Sequence, residues 1–162
     1  MTRAIAGAAL FVCACGFFSP DVGSGGVTCD ADAGDCATPQ QGDGATVSFA
    51  NDIRPIMNRL SGDPNGPGCA SCHYQSAPNP IGIELGGLDM TTLGSLRKGG
   101  KTSGASIVVA GAPDQSAIIQ KLRGTYPYGL RMPYNGPPYL TDAEIQIFAD
   151  WIAQGAVGAD DE

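Results

Sequence analysis

Apolar residues recur at helical spacing in three places along this chain. Ile53, Ile56, Met57 and Leu60 fall at i, i+3, i+4 and i+7, which predicts one face of a helix. Asn51 or Asp52 can cap it, and Pro55 is tolerable only in its first turn. The turn-rich run Ser61-Gly62-Asp63-Pro64-Asn65-Gly66-Pro67-Gly68 stops it. Ser116 to Leu122 predicts a short helix that buries Ile118, Ile119 and Leu122. The third segment is the clearest. Thr141-Asp142-Ala143-Glu144 is a capping box, Ile145, Phe148 and Ile152 repeat at i, i+3 and i+7, and Ile147 and Trp151 stand beside them until Gly155 ends the helix. Between the first two segments, Tyr74 to Gly111 is rich in Gly and Ser and offers one helical turn, at Thr92 to Leu96.

The N-terminal part has a different pattern. Arg3 precedes an uncharged run, Ala4 to Phe18, too short to span a bilayer and suited to the apolar region of an export leader. Nothing later in the chain is long and apolar enough to cross a membrane. Val12-Cys13-Ala14-Cys15 resembles a bacterial lipobox with the small residue directly before Cys15. The leader is therefore residues 1–14, and Cys15 is the expected lipidated N-terminus, a tether to a membrane surface without a span. Residues 15–45 read as a flexible acidic tether, within which Cys29 and Cys36 are an expected disulfide pair in an oxidising compartment. The folded part is then 46–157, followed by an acidic tail at 158–162.

Charge adds little about partners. The formal net charge is −7, yet Thr46 to Val157 holds eight acids and eight bases. The excess acid lies in the tether and in Asp160-Asp161-Glu162, where it is expected to keep flexible segments solvated. No basic stripe suits nucleic acid. Arg97, Lys98, Lys101, Lys121, Arg123 and Arg131 either rim a functional site or form an ordinary solvated surface.

The chemistry is concentrated in Cys69-Ala70-Ser71-Cys72-His73, the C-x-x-C-H pattern of haem c attachment. Two thiols three residues apart can add to the two vinyl groups on one porphyrin edge, and the next residue then brings an imidazole to the iron. A zinc site would need four ligands, whereas His73 is the sole histidine and the other cysteines lie in the leader or tether. A redox dithiol would call for a strand-to-helix context, and here a Pro/Gly loop precedes Cys69. With no second histidine, methionine is the natural sixth ligand. Met57 lies on a helical apolar face and Met90 follows His73 closely in sequence. Met132 is far enough along the chain to reach the other haem face, from a loop stiffened by Pro133. Met132 is the favoured distal ligand, with Met90 and an open or water-bound site as alternatives.

Several further motifs follow in a fixed order. Phe49 to Ile56 opens with Phe-x-x-Asp-Ile-x-Pro-Ile, then come C-x-x-C-H, Gly87-Leu88-Asp89-Met90, Leu96-Arg97-Lys98-Gly99-Gly100 and Gly111-Ala112-Pro113-Asp114-Gln115-Ser116. Arg131-Met132-Pro133, Leu140 to Ile145 and Trp151 to Ala156 complete the series. This order, over about Val47 to Ala156, resembles the planctomycete-type cytochrome c domain. The resemblance implies a small all-α, class I cytochrome c-like fold, with first and last helices crossing and short helices around one covalent haem c. It implies thioethers at Cys69 and Cys72, His73 proximal and Met132 distal. One departure is Tyr134, where such domains commonly have a second proline. The expected function is one-electron transfer with redox partner proteins, by an exported protein of the periplasm or cell envelope, lipid-anchored to the outer membrane. The alternatives are a haem sensor or haem-enzyme subunit with a labile or open distal site, and a tethered subunit relaying electrons to a larger oxidoreductase.

Overall fold

The first helix begins earlier and ends sooner than its apolar face predicts. In a computed structural model, which describes residues 45–162, Ser48 is the N-cap: its hydroxyl accepts from Asn51 N (3.3 Å), and the Asp52 carboxylate accepts from Ser48 N (2.7 Å). A wide π-helical turn, Phe49–Ile53, leads into α1, Arg54–Met57. Pro55 explains the wide turn. It has no N–H to donate, and its ring crowds the carbonyl four residues back, so the backbone ahead of it loosens to i→i−5 bonding. The helix stops at Met57, and Leu60, expected on the buried face, is 57 % exposed.

Five further α-helices follow: α2 Ala70–His73, α3 Ile81–Glu84, α4 Leu93–Lys98, α5 Ala117–Arg123 and α6 Asp142–Ala153, with 3₁₀ turns at Gly104–Ile107 and Pro113–Gln115. Among the described residues there is no strand, which agrees with the all-α expectation, and no helix is long and apolar enough to cross a membrane. The helix α3 is absent from the sequence reading. The leader, Cys15, Cys29 and Cys36 lie outside the described residues.

The core is built where α6 meets the first helical segment. The Phe49 and Trp151 rings lie 5.3 Å apart and tilted, and Ile53, Met57, Phe148 and Ile152 are buried with them. As predicted, Ile118, Ile119 and Leu122 of α5 and Ile145 of α6 join this core, and Thr141 and Glu144 cap α6 reciprocally. Arg59 forms an ion pair with the same Glu144 carboxylate, which ties the end of α1 to the start of α6. Burial alone would raise the Glu144 carboxyl, but its bonds to Arg59 and Thr141 hold it below the ordinary value.

The acidic C-terminal residues are not free of the fold. Leu93 N and Gly94 N, two donors at the start of α4 with no partner inside the helix, donate to the carbonyls of Glu162 (2.6 Å) and Asp160 (2.9 Å). Arg97 pairs with Asp160 and donates to the Ala156 carbonyl (2.8 Å). The helix start supplies donors and Arg97 supplies charge, so the acids fold back onto α4 rather than standing off as a solvated tail.

Because Thr141 serves the α6 start through both its hydroxyl and its position against Glu144, Thr141→Ala is expected to destabilise the protein by about 1 kcal/mol. Urea unfolding followed by circular dichroism will read this as a lower midpoint at unchanged slope.

Candidate functional site

The C-x-x-C-H segment hangs from the end of α1. Cys69 N donates to the Met57 carbonyl (3.0 Å) and Ala70 N to the Arg59 carbonyl (3.3 Å), so carbonyls at the helix end take the incoming chain as donor. The approach is close enough to require Gly68, where an added Cβ would lie 2.5 Å from the Arg59 carbonyl oxygen. The chain then turns once through α2, with His73 N donating back to the Cys69 carbonyl (3.0 Å). One helical turn puts positions i, i+3 and i+4 on one side, and Cys69, Cys72 and His73 all line the same cavity. Both thiols are free, and burial pushes the Cys69 thiol up to about 12, with Cys72 beside it adding to the effect.

The imidazole is held on several sides. His73 Nδ1 bonds to the Leu88 carbonyl at 2.9 Å. A carbonyl only accepts, so the proton sits on Nδ1 and the Nε2 lone pair is free. Burial pushes the His73 pKa below its ordinary value, and the Leu88 bond works against that shift. Across the ring lies α3, packed so tightly that a Cβ at Gly82 would come within 2.5 Å of Cε1 and Nδ1 and 2.7 Å of Nε2. The segment is closed on itself: Leu88 N donates to the Gly82 carbonyl (3.2 Å) and Met90 N to the His73 carbonyl (2.8 Å). Arg54 of α1 fastens it to the core, donating to the carbonyls of Met90 (3.3 Å) and Thr91 (3.0 Å) and to the Tyr74 hydroxyl (3.1 Å).

A second wall is formed by α5 and the loop after it. Met132 lies half-buried on this loop and lines the cavity with His73. Its backbone N–H donates to the Lys121 carbonyl (3.0 Å), and Arg131 Nε to the Leu122 carbonyl (2.8 Å). Met90 also lines the cavity, whereas Met57 is wholly buried in the core, as predicted. The cavity holds about 500 Å³ and is lined largely by apolar side chains, among them Ile81, Leu88, Ile107, Ile118, Leu122 and Phe148. That size suits an organic cofactor.

The donor set fits a haem: two thiols in a row, an imidazole with its tautomer fixed, and a thioether on another wall of an apolar cavity. It does not fit a bare metal ion, since no three His, Cys, Asp or Glu side chains among the described residues converge on one point. Several of the bases that sequence left as a rim or a solvated surface are bonded to the chain itself. Lys101 Nζ donates to the carbonyls of Glu84 (3.0 Å) and Leu85 (2.9 Å) at the end of α3. Lys121 holds the Met132 loop, Arg123 pairs with Asp114, and Arg131 stacks 4.1 Å over Tyr139. Arg54, Gly82 and the Leu88 carbonyl were missed as site residues. Only the Gly87-Leu88-Asp89-Met90 motif pointed toward them, without saying what it touches.

Residues 69–134 match the family model described as Planctomycete cytochrome C. The match starts at the first cysteine and runs through Met132, and the helix start at Phe49 and all of α6 lie outside it. No curated protein and no solved structure matches the chain significantly.

Gly82→Ala forces either α3 or the imidazole to move. The expected result is a stability loss of about 1–3 kcal/mol, typical of overpacking, with displaced His73 ring resonances in NMR. Gly62→Ala, which strains a left-handed turn (φ +83°) but meets open space, should cost stability and leave those resonances in place.

Proposed function

Given a planctomycete-type cytochrome c segment over residues 69–134, we propose that this chain is an exported carrier of single electrons. It holds one haem c through thioethers at Cys69 and Cys72, with His73 and Met132 as axial ligands of the iron. The observation that carries this reading is the one apolar cavity lined by all four side chains. When bound, the haem supplies a one-electron Fe(III)/Fe(II) couple.

The chain's residues supply the rest. His73 offers Nε2 with its ring orientation fixed by Leu88 and Gly82. A second iron ligand would come from another wall than His73, and this favours Met132 over Met90. Met90 is bonded through its own N–H to the His73 carbonyl and belongs with the His73 wall, whereas Met132 hangs from α5. A thioether ligand favours the reduced state relative to nitrogen ligation, and the apolar lining adds to this by disfavouring the extra charge of ferric iron. With side chains at both axial positions, no place remains for a substrate, so the protein carries electrons and transforms nothing. Export by the leader, a lipid at Cys15 and a Cys29–Cys36 disulfide in the tether complete the reading. They describe a soluble domain held near the outer membrane that exchanges electrons with partner redox proteins.

One observation favours a second reading. The loop around Met132 exposes Tyr128, Leu130 and Tyr134 by more than 60 % each. A loop so placed could release its ligand, as a haem sensor or haem-enzyme subunit would require.

Two measurements test the proposal. The Cys69→Ala, Cys72→Ala double variant should lose the haem band on a denaturing gel stained for haem. Oxidised wild-type protein should show the weak near-infrared band of sulfur-ligated ferric haem. Met132→Ala should abolish that band, lower the potential and admit carbon monoxide to the ferrous protein, and Met90→Ala should do none of these. Rapid carbon monoxide binding by the wild type would favour the labile-site reading instead.

A further inference from the structure

Met132 stands in a stretch with no helix of its own, between the end of α5 at Arg123 and the start of α6 at Asp142. Its position is therefore set by cross-links to neighbouring elements, and several of them run to one residue. The Lys121 ammonium donates to the carbonyls of Tyr128 and Leu130 (3.3 Å to the latter) and lies 5.0 Å from the centre of the Tyr126 ring. Its three N–H donors are thus directed at two carbonyls and an aromatic face. The same residue's carbonyl accepts the Met132 N–H at 3.0 Å. Side chain and backbone of Lys121 together grip the loop ahead of Met132 and at Met132 itself.

We propose that Lys121 is a positioning residue for the distal ligand: its ammonium clamps the 126–132 loop to α5 and so holds the Met132 sulfur in the cavity. The proposal rests on Met132 being that ligand. It assigns Lys121 a role other than partner steering, since its donors point at the chain's own carbonyls. It also separates Lys121 from Arg131. Arg131 is fastened instead to the Leu122 carbonyl and to Tyr139.

The test compares Lys121→Met, Lys121→Arg and the wild type as haem-loaded proteins, with the near-infrared band and ferrous carbon monoxide uptake as readouts. Lys121→Met keeps the apolar stem and removes the donors. It should lower the ratio of bound to detached Met132 by about tenfold, the scale of a lost charge-assisted hydrogen bond. The band then weakens and carbon monoxide uptake rises, and Lys121→Arg should restore much of both. In a Met132→Ala background, Lys121→Met should add nothing to carbon monoxide uptake. A wild-type band that Lys121→Met leaves intact overturns the clamp alone, as does an effect that persists without Met132. A wild-type protein lacking the band overturns the ligand assignment, and the clamp with it.

Discussion

One hydrogen bond, from His73 Nδ1 to the Leu88 carbonyl, is the contact on which the arrangement of the site depends. It fixes the imidazole tautomer, and most of the surrounding contacts hold its two ends in place. The Leu88 N–H is bonded to Gly82, whose missing side chain lets α3 lie against the ring. Two residues on, Met90 N–H returns to the His73 carbonyl, and Arg54 grips the Met90 and Thr91 carbonyls from α1. Arg54 lies 4.8 Å from the Phe49 ring centre, and Phe49 packs on Trp151. The orientation of one ring is thereby referred, contact by contact, to the central helix pair. Its precision comes from the core and not from the short helices around it.

How much of this could be read in advance follows from the range of each interaction. The helix α6 was legible in full, because a capping box and an apolar face are local patterns. So was α5, whose buried face is Ile118, Ile119 and Leu122. The three residues Cys69, Cys72 and His73 were legible as chemistry, and the structure brings them together in one cavity with Met132. It brings Met90 there too, so proximity does not separate the two methionines, and the choice rests on which wall each belongs to. The helix α3 is a single turn, too short to show a period. Leu60 was misplaced because Pro55 alters the turn ahead of α1 and the helix ends early. The C-terminal acids and the lysines were misjudged for a common reason. Apart from the Arg97–Asp160 pair, their partners are backbone amides and carbonyls, and a backbone group leaves no trace in the residue letters.

The two walls are organised on the same principle. On each, a lysine ammonium caps backbone carbonyls that would otherwise face solvent: Lys101 at the end of α3, Lys121 on the loop after α5. Short helices leave many unpaired carbonyls for their length, and long side chains with several donors satisfy them economically. A domain in which only α6 is longer than two turns can in this way build the walls of a cavity from short helices and loops. The same device engages both lysines with the chain's own carbonyls, while Ile81, Leu85 and Tyr134 stand exposed among the residues that line the cavity.

Gly68 and Gly82 bear on how such sites are recognised in other genomes. C-x-x-C-H is five letters long and arises by chance in many chains that carry no porphyrin. Here the residue before the first cysteine cannot bear a side chain, because it slides past two carbonyls at the end of a helix, and neither can the residue lying across the imidazole. Both demands come from packing around the motif, independent of thioether chemistry. In this chain the motif is therefore accompanied by two glycines that the packing demands, a requirement the five letters alone do not carry.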